Sequence, residues 1–88
     1  MIGTDEIWAR IEANEGEVFH QIRGGEFTYS VKKNYLKPDR TNRNIPKSEF
    51  EIALLLVPLE GPSQIQSLQG PSYVFAILMD PRIRQSDW

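Results

Sequence analysis

The spacing of hydrophobic and polar positions changes period along the chain, and each change marks an element. Ile7, Trp8 and Ile11 fall on one side of a helical projection, so residues 4–13 read as a short amphipathic helix. Thr4 stands where a cap is needed, and Asp5 and Glu6 lie in the first turn, where the helix dipole favours negative charge. Asn14-Glu-Gly16 ends this helix. Val18–Ile22 reads as a strand from its β-branched and aromatic content, and Arg23-Gly-Gly-Glu26 as a turn whose glycines allow positive φ. The period then becomes two. Phe27, Tyr29 and Val31 point one way and Thr28, Ser30 and Lys32 the other, which is the clearest strand pattern in the chain. A second tight turn at Lys33-Asn34 leads to a short third strand, Tyr35-Leu-Lys37, closed by Pro38.

A polar, basic stretch then runs into the most apolar one. Ser48 and Glu51 have the spacing of a capping box, and Phe50, Ala53, Leu54 and Val57 recur at helical intervals. Ile52, Leu55 and Leu56 make most of the remaining circumference apolar, so the pattern predicts a helix over 48–57 that is buried on more than one side and stopped by Pro58. Gly61-Pro-Ser63 and Gly70-Pro-Ser72 bracket a connector in which residues 63–68 form one helical turn. Tyr73–Met79 is continuously apolar. Ser72 before it and Asp80-Pro81 after it are helix punctuation, and a buried strand is the alternative. The tail, residues 84–88, is expected to fray. The expected architecture is one α+β domain over residues 1–88, a three-stranded antiparallel meander with two to three helices on one face, in the order α-β-β-β-α-α. Its core is expected to centre on Phe19, Phe27, Tyr29, Val31, Leu54, Phe75 and Leu78.

Composition narrows the chemistry. A chain of 88 residues supports one modest core and little room for an enclosed active site. It has no cysteine, which removes disulfides and thiolate metal sites. The longest apolar runs, Ile52–Val57 and Tyr73–Met79, are far below the ~18 residues of a membrane span. Met1–Glu6 lacks the basic-then-apolar build of a secretory leader, so a soluble, cytoplasmic protein with no membrane partner is expected. His20 is the only histidine, so a protein-built zinc site is excluded, and nothing marks a nucleophile elbow or an oriented base beside it. It reads as a strand side chain facing solvent or bonded to a neighbour. Glu12, Glu15 and Glu17 lie at a helix end without ligand spacing, and no pair among Glu15, Glu17 and Glu26 is marked for glycoside hydrolysis. Arg23-Gly-Gly-Glu26 joins strand to strand and lacks the glycine spacing of a phosphate-binding loop. No catalytic residue, metal, cofactor or small-molecule substrate is therefore expected.

Charge changes the picture more. The formal net charge is −2, but residues 23–48 carry Arg23, Lys32, Lys33, Lys37, Arg40, Arg43 and Lys47 against only Glu26 and Asp39. Lys32, Lys33 and Lys37 on the hairpin, with Arg40, Asn42, Arg43, Asn44 and Lys47 in the following loop, form the candidate nucleic-acid or anion-binding set. Lysine and arginine suit phosphate oxygens, and asparagine suits base edges. Tyr35 widens the surface, and the loop leads into a helix N-terminus, whose free N–H groups favour anions. Glu49 and Glu51 work against an anion there, and internal charge balance is the plainer alternative. Phe27 and Tyr29 resemble base-stacking aromatics on an open sheet, but the helices need that face, and Trp8 likewise reads as core. Asp80 and Arg82 read as a local ion pair. Leu55, Leu56, Ile77 and Met79 exceed what so small a core covers, which points to a self-association seam. The expected function is a non-enzymatic binding or adaptor module that contacts DNA, RNA or another anionic partner through residues 32–47. The alternative is a protein-interaction or homodimerising module.

Phe27-Thr-Tyr29, Arg40-Thr-Asn-Arg43, Ser48-Glu-Phe-Glu-Ile-Ala-Leu54 and Gly70-Pro-Ser-Tyr-Val-Phe-Ala-Ile-Leu-Met-Asp-Pro-Arg-Ile83 together resemble short bacterial open reading frames to which no function is assigned. The resemblance implies a stand-alone bacterial domain and transfers no site residue. The chain is also loosely similar to winged-helix proteins, in which a helix and a basic hairpin face DNA together. Here, however, the strands precede the apolar helix.

Overall fold

The computed structural model describes residues 3–88, so Met1 and Ile2, which entered the expectation about a leader, lie outside the described residues. In chain order the elements are α1 (Thr4–Ala13), β1 (Phe19–His20), β2 (Glu26–Phe27), β3 (Tyr29–Val31), β4 (Tyr35–Pro38), β5 (Ile45–Pro46), α2 (Lys47–Leu54), a 3-10 turn (Pro62–Ile65), α3 (Pro71–Leu78) and α4 (Pro81–Arg84). The α+β class and the order of helices and antiparallel strands are as the pattern predicts. In α1 the buried stripe is Ile7, Trp8 and Ile11, but the cap lies one residue earlier than expected. Gly3 takes that position without a side-chain bond, and Thr4 is the first helical residue.

The strands divide between two small sheets. β1 pairs with β2, setting Phe19 against Phe27 and His20 against Glu26, while β3, β4 and β5 form a separate antiparallel sheet in that order. Thr28 is the crossing point. Its N–H donates to Asp39 Oδ1 at 3.0 Å, and the Asp39 N–H donates to the Thr28 carbonyl at 2.9 Å. The strand β5 lies inside the stretch read as a polar loop. Its Ile45 is fully buried and pairs with Leu36. Side-chain alternation holds across this sheet: Tyr29, Leu36, Pro38 and Ile45 are buried on one face, and Ser30 and Lys37 are exposed on the other. The outer edge of β3 does not stand open, because Gly16 N–H donates to the Tyr29 carbonyl at 3.1 Å and Glu15 Oε2 accepts from Val31 N–H at 2.7 Å.

The apolar helix departs most from expectation. It begins at Lys47 and ends at Leu54, capped by Pro46, with no side-chain cap bond, so the Ser48–Glu51 capping box does not form. Only one face is buried, carried by Phe50, Ala53 and Leu54; Ile52, Leu55 and Leu56 are 46%, 73% and 48% exposed. Leu55 and Leu56 N–H groups bond to the carbonyls of Ile52 and Ala53, three residues back, which tightens and ends the helix. Pro58 prevents its resumption and disfavours helical geometry at Val57.

Residues 73–78 lie in α3, so this run is the helix its punctuation indicates rather than the alternative buried strand. Its cap is Gly70, in the left-handed region at φ 58°, rather than Ser72. A Cβ at Gly70 would sit 2.6 Å from Ile45 Cδ1, so this glycine answers both a backbone and a packing requirement. Asp80 ends α3 and caps α4, its carboxylate accepting from Arg82 N–H. The tail expected to fray is tied in at several points. Arg10 bonds to the Ile83 carbonyl at 2.8 Å and to Asp87 at 2.7 Å, and Trp88 Nε1 donates to the Leu78 carbonyl at 2.9 Å.

The core joins both sheets to the helices. Phe19 lies 5.2 Å from Tyr29 and 6.0 Å from Phe27 between ring centroids, Phe27 meets Tyr73 edge-on, and Trp8 meets Phe50 edge-on. Of the expected centre, Phe19, Phe27, Tyr29, Leu54 and Leu78 are buried, whereas Val31 and Phe75 are half-buried against it.

Candidate nucleic-acid interface

The predicted site residues sit on and around the solvent face of the β3–β4–β5 sheet. Because Leu36 and Pro38 point into the core, Tyr35 and Lys37 must point out, and register places Lys37 beside Ser30 and Tyr35 beside Pro46. The turn at one end of β4 is closed by Lys32 N–H donating to the Tyr35 carbonyl at 2.8 Å, which leaves the Lys32 and Lys33 side chains exposed. At the other end, the loop 39–44 carries Arg40, Asn42, Arg43 and Asn44, all exposed. Thr41 shapes this loop, its Oγ1 accepting from Arg43 N–H at 3.2 Å. Four residues of β4 span only about 10 Å at the usual rise, so Lys37 lies within reach of both ends.

Two members of the set are not free. Lys47 Nζ lies 2.7 Å from Asp5 Oδ1, and this hydrogen bond with its accompanying charge holds the Asp5 carboxyl below its ordinary range. Lys47 therefore links α1 to the start of α2, and a phosphate at Lys47 would compete with Asp5. Arg40 reaches the Glu26 carbonyl at 3.3 Å, so it braces β2 while staying exposed. The sheet face itself has no carboxylate: Ser30, Tyr35, Lys37 and Pro46 are its outward strand positions. Glu49, expected to oppose an anion at the start of α2, instead accepts from Gln69 N–H at 3.2 Å.

Other surfaces are less marked by sequence. Gln21, Ile22, Arg23, Pro62, Pro71 and Ser72 help to line an open cleft of about 400 Å³, across which Gln21 Nε2 donates to Ser72 Oγ at 2.9 Å. Arg23 was legible as part of a turn and of the basic middle segment, but nothing local shows that this turn meets residues 62–72. A second groove of about 280 Å³ lies between the start of α1, the end of α2 and Trp88, beside Leu55. His20 is exposed, with Nε2 3.0 Å from Glu26 Oε2 across the β1–β2 pair. Among the described residues, no three histidine or carboxylate side chains gather as a metal-binding group, and no helix is long and apolar enough to cross a membrane.

The Asp80–Arg82 pair does more than a local surface pair. Arg82 bonds to both carboxylate oxygens of Asp80 at 2.9 Å, donates to the Val18 carbonyl at 2.8 Å and stacks 4.0 Å above the Phe19 ring centre. Burial works to raise the Asp80 pKa, but the hydrogen bonds and charge of Arg82 outweigh it, and the carboxyl titrates below its ordinary range. This group fastens α4 to β1 and is structural. The chain matches no protein-family model, no curated protein and no solved structure.

Proposed function

We propose that the protein is a non-enzymatic binding module whose working surface, the outer face of the β3–β4–β5 sheet with its two flanking turns, takes a nucleic acid. One observation carries this reading. Lys32, Lys33, Lys37 and Arg43 are exposed around a sheet face whose outward strand positions include no carboxylate, in a chain that is acidic as a whole. Such a local field favours a polyanion despite the net charge of −2. The phosphate backbone supplies the affinity, and the exposed Asn42 and Asn44 contact base edges or sugars.

The test is a salt series of binding isotherms against mixed-sequence DNA and RNA. The logarithm of the binding constant falls linearly with the logarithm of salt concentration, because phosphate neutralisation releases counterions. Changing Lys37 or Arg43 to alanine lowers affinity and flattens that slope by about 0.7 to 0.9 for each phosphate that is no longer neutralised. Binding that is indifferent to salt, or unchanged in the Lys37→Ala, Arg43→Ala double variant, contradicts the reading.

A second reading rests on Ile52, Leu55 and Leu56, which form an exposed aliphatic ridge at the end of α2. A contiguous patch of exposed aliphatics marks an interaction surface when it is large enough. A stable protein interface needs about 800 Å² per partner, more than three side chains provide, so a partner on this ridge must also fill the groove beside Trp88. Light scattering across a concentration series tests the homodimer form of this reading. A salt-insensitive dimer lost in Leu55→Glu supports it, and a monomer throughout removes it.

A further inference from the structure

Tyr35 is the one tyrosine that the core does not claim. Tyr29 is buried and donates its hydroxyl to the Ile11 carbonyl, and Tyr73 packs edge-on against Phe27 as part of the core's margin. Tyr35 instead projects from the outer face of β4, because its neighbour Leu36 is fully buried on the inner face. Lys37, two residues along the same strand and so about 7 Å away, shares that face, and Lys32 and Lys33 occupy the adjoining turn. An aromatic ring set between lysines on a sheet face whose outward strand positions carry no carboxylate is a platform for an unpaired base with phosphates on either side.

Resting on the reading above, we infer that the ligand is single-stranded nucleic acid, with Tyr35 stacking against one base and Lys37 and the Lys32–Lys33 turn holding the flanking phosphates. The geometry of the sheet favours a single strand over a duplex. The major groove of a duplex admits a two-stranded β-ribbon, and this sheet is three strands wide. Here the inner face is core, β5 covers one edge of the β3–β4 pair, and Glu15 and Gly16 cover the other. What remains is one face of a three-stranded sheet, which can meet the π-face of a splayed base more readily than bases inside a stacked duplex.

Fluorescence anisotropy with labelled oligothymidylate, oligouridylate of the same length, a blunt DNA duplex and an abasic oligonucleotide tests this directly. The two homopolymers bind roughly tenfold more tightly than the duplex or the abasic strand, the size expected of one stacked base. Tyr35→Ala removes that advantage and leaves abasic binding unchanged, while Tyr35→Phe keeps it. Thermal melting of all three proteins, with binding measured well below each transition, separates loss of stacking from loss of fold. Binding of the duplex or abasic strand as tight as that of the homopolymers, or no effect of Tyr35→Ala, overturns the inference while leaving the basic-face reading standing. Absence of binding to every probe at low salt overturns both. Tighter binding of oligouridylate than of oligothymidylate, or the reverse, identifies RNA or DNA as the preferred strand, and either result supports the inference.

Discussion

At the scale of single residues, a few side chains carry more of the fold than their types suggest. Gly70 combines a left-handed backbone with a close approach to Ile45. Gly70→Ala therefore places a Cβ against Ile45 and strains the backbone, and urea unfolding is expected to show a loss of about 2–4 kcal/mol. Asp80 offers a test by pH. Its carboxyl is held below the ordinary range by Arg82, so its contribution is complete above the unfolded value of about 4 and is lost as pH falls through the lower folded value. Asp80→Asn keeps a capping side chain for α4 but removes the charge. The variant is expected to be less stable than the native chain at neutral pH, with the gap closing as pH drops below about 4. Tyr29 behaves oppositely. Burial pushes its phenol up, and because the folded state retains that proton while the unfolded state loses it above about pH 10, stability declines on the alkaline side. Tyr29→Phe, which deletes the 2.6 Å bond to the Ile11 carbonyl, costs about 1 kcal/mol at neutral pH and removes that decline.

At the scale of elements, legibility followed how much each element depends on its own sequence. α1 was readable because Ile7, Trp8 and Ile11 repeat at helical spacing and all three are buried. The alternation over Phe27–Val31 made β3 readable but hid the break at Thr28, which puts Phe27 in β2 and in the other sheet. β5 was not readable, because a pair as short as Ile45-Pro46 has no period, and its strand character comes from pairing with β4. α2 shows a different limit. Phe50, Ala53 and Leu54 are buried while Ile52, Leu55 and Leu56 are exposed, and hydropathy does not distinguish an aliphatic side chain facing the core from one facing out. The capping box failed for a local reason, since Pro46 is the cap and the helix starts at Lys47 before Ser48 is reached. Two measurements follow. Leu55→Ser is expected to move stability by no more than about 0.5 kcal/mol, whereas Phe50→Ala, which empties the space beside Trp8, costs about 3–5 kcal/mol. Trp88→Ala, which loses the bond to the Leu78 carbonyl and its packing, is expected to cost about 1–3 kcal/mol; a frayed tail would show no change.

At the scale of the molecule, charge and apolar surface are carried by different elements. The cations of residues 32–43 ring the outer face of the larger sheet, while the exposed aliphatics end α2. The basic composition of this middle segment was legible in the sequence. Its arrangement was not, because the pairing of Lys47 with Asp5 and the bracing of Glu26 by Arg40 join residues far apart in the chain. Backbone-amide NMR during titration with oligothymidylate at low salt tests the account most directly. It predicts shifts concentrated at Ser30, Lys32, Lys33, Tyr35, Lys37 and Asn42–Asn44, reversed by added salt, with Ile52–Leu56 unmoved. Shifts centred on Ile52–Leu56, or none at all at saturating oligonucleotide, would contradict it.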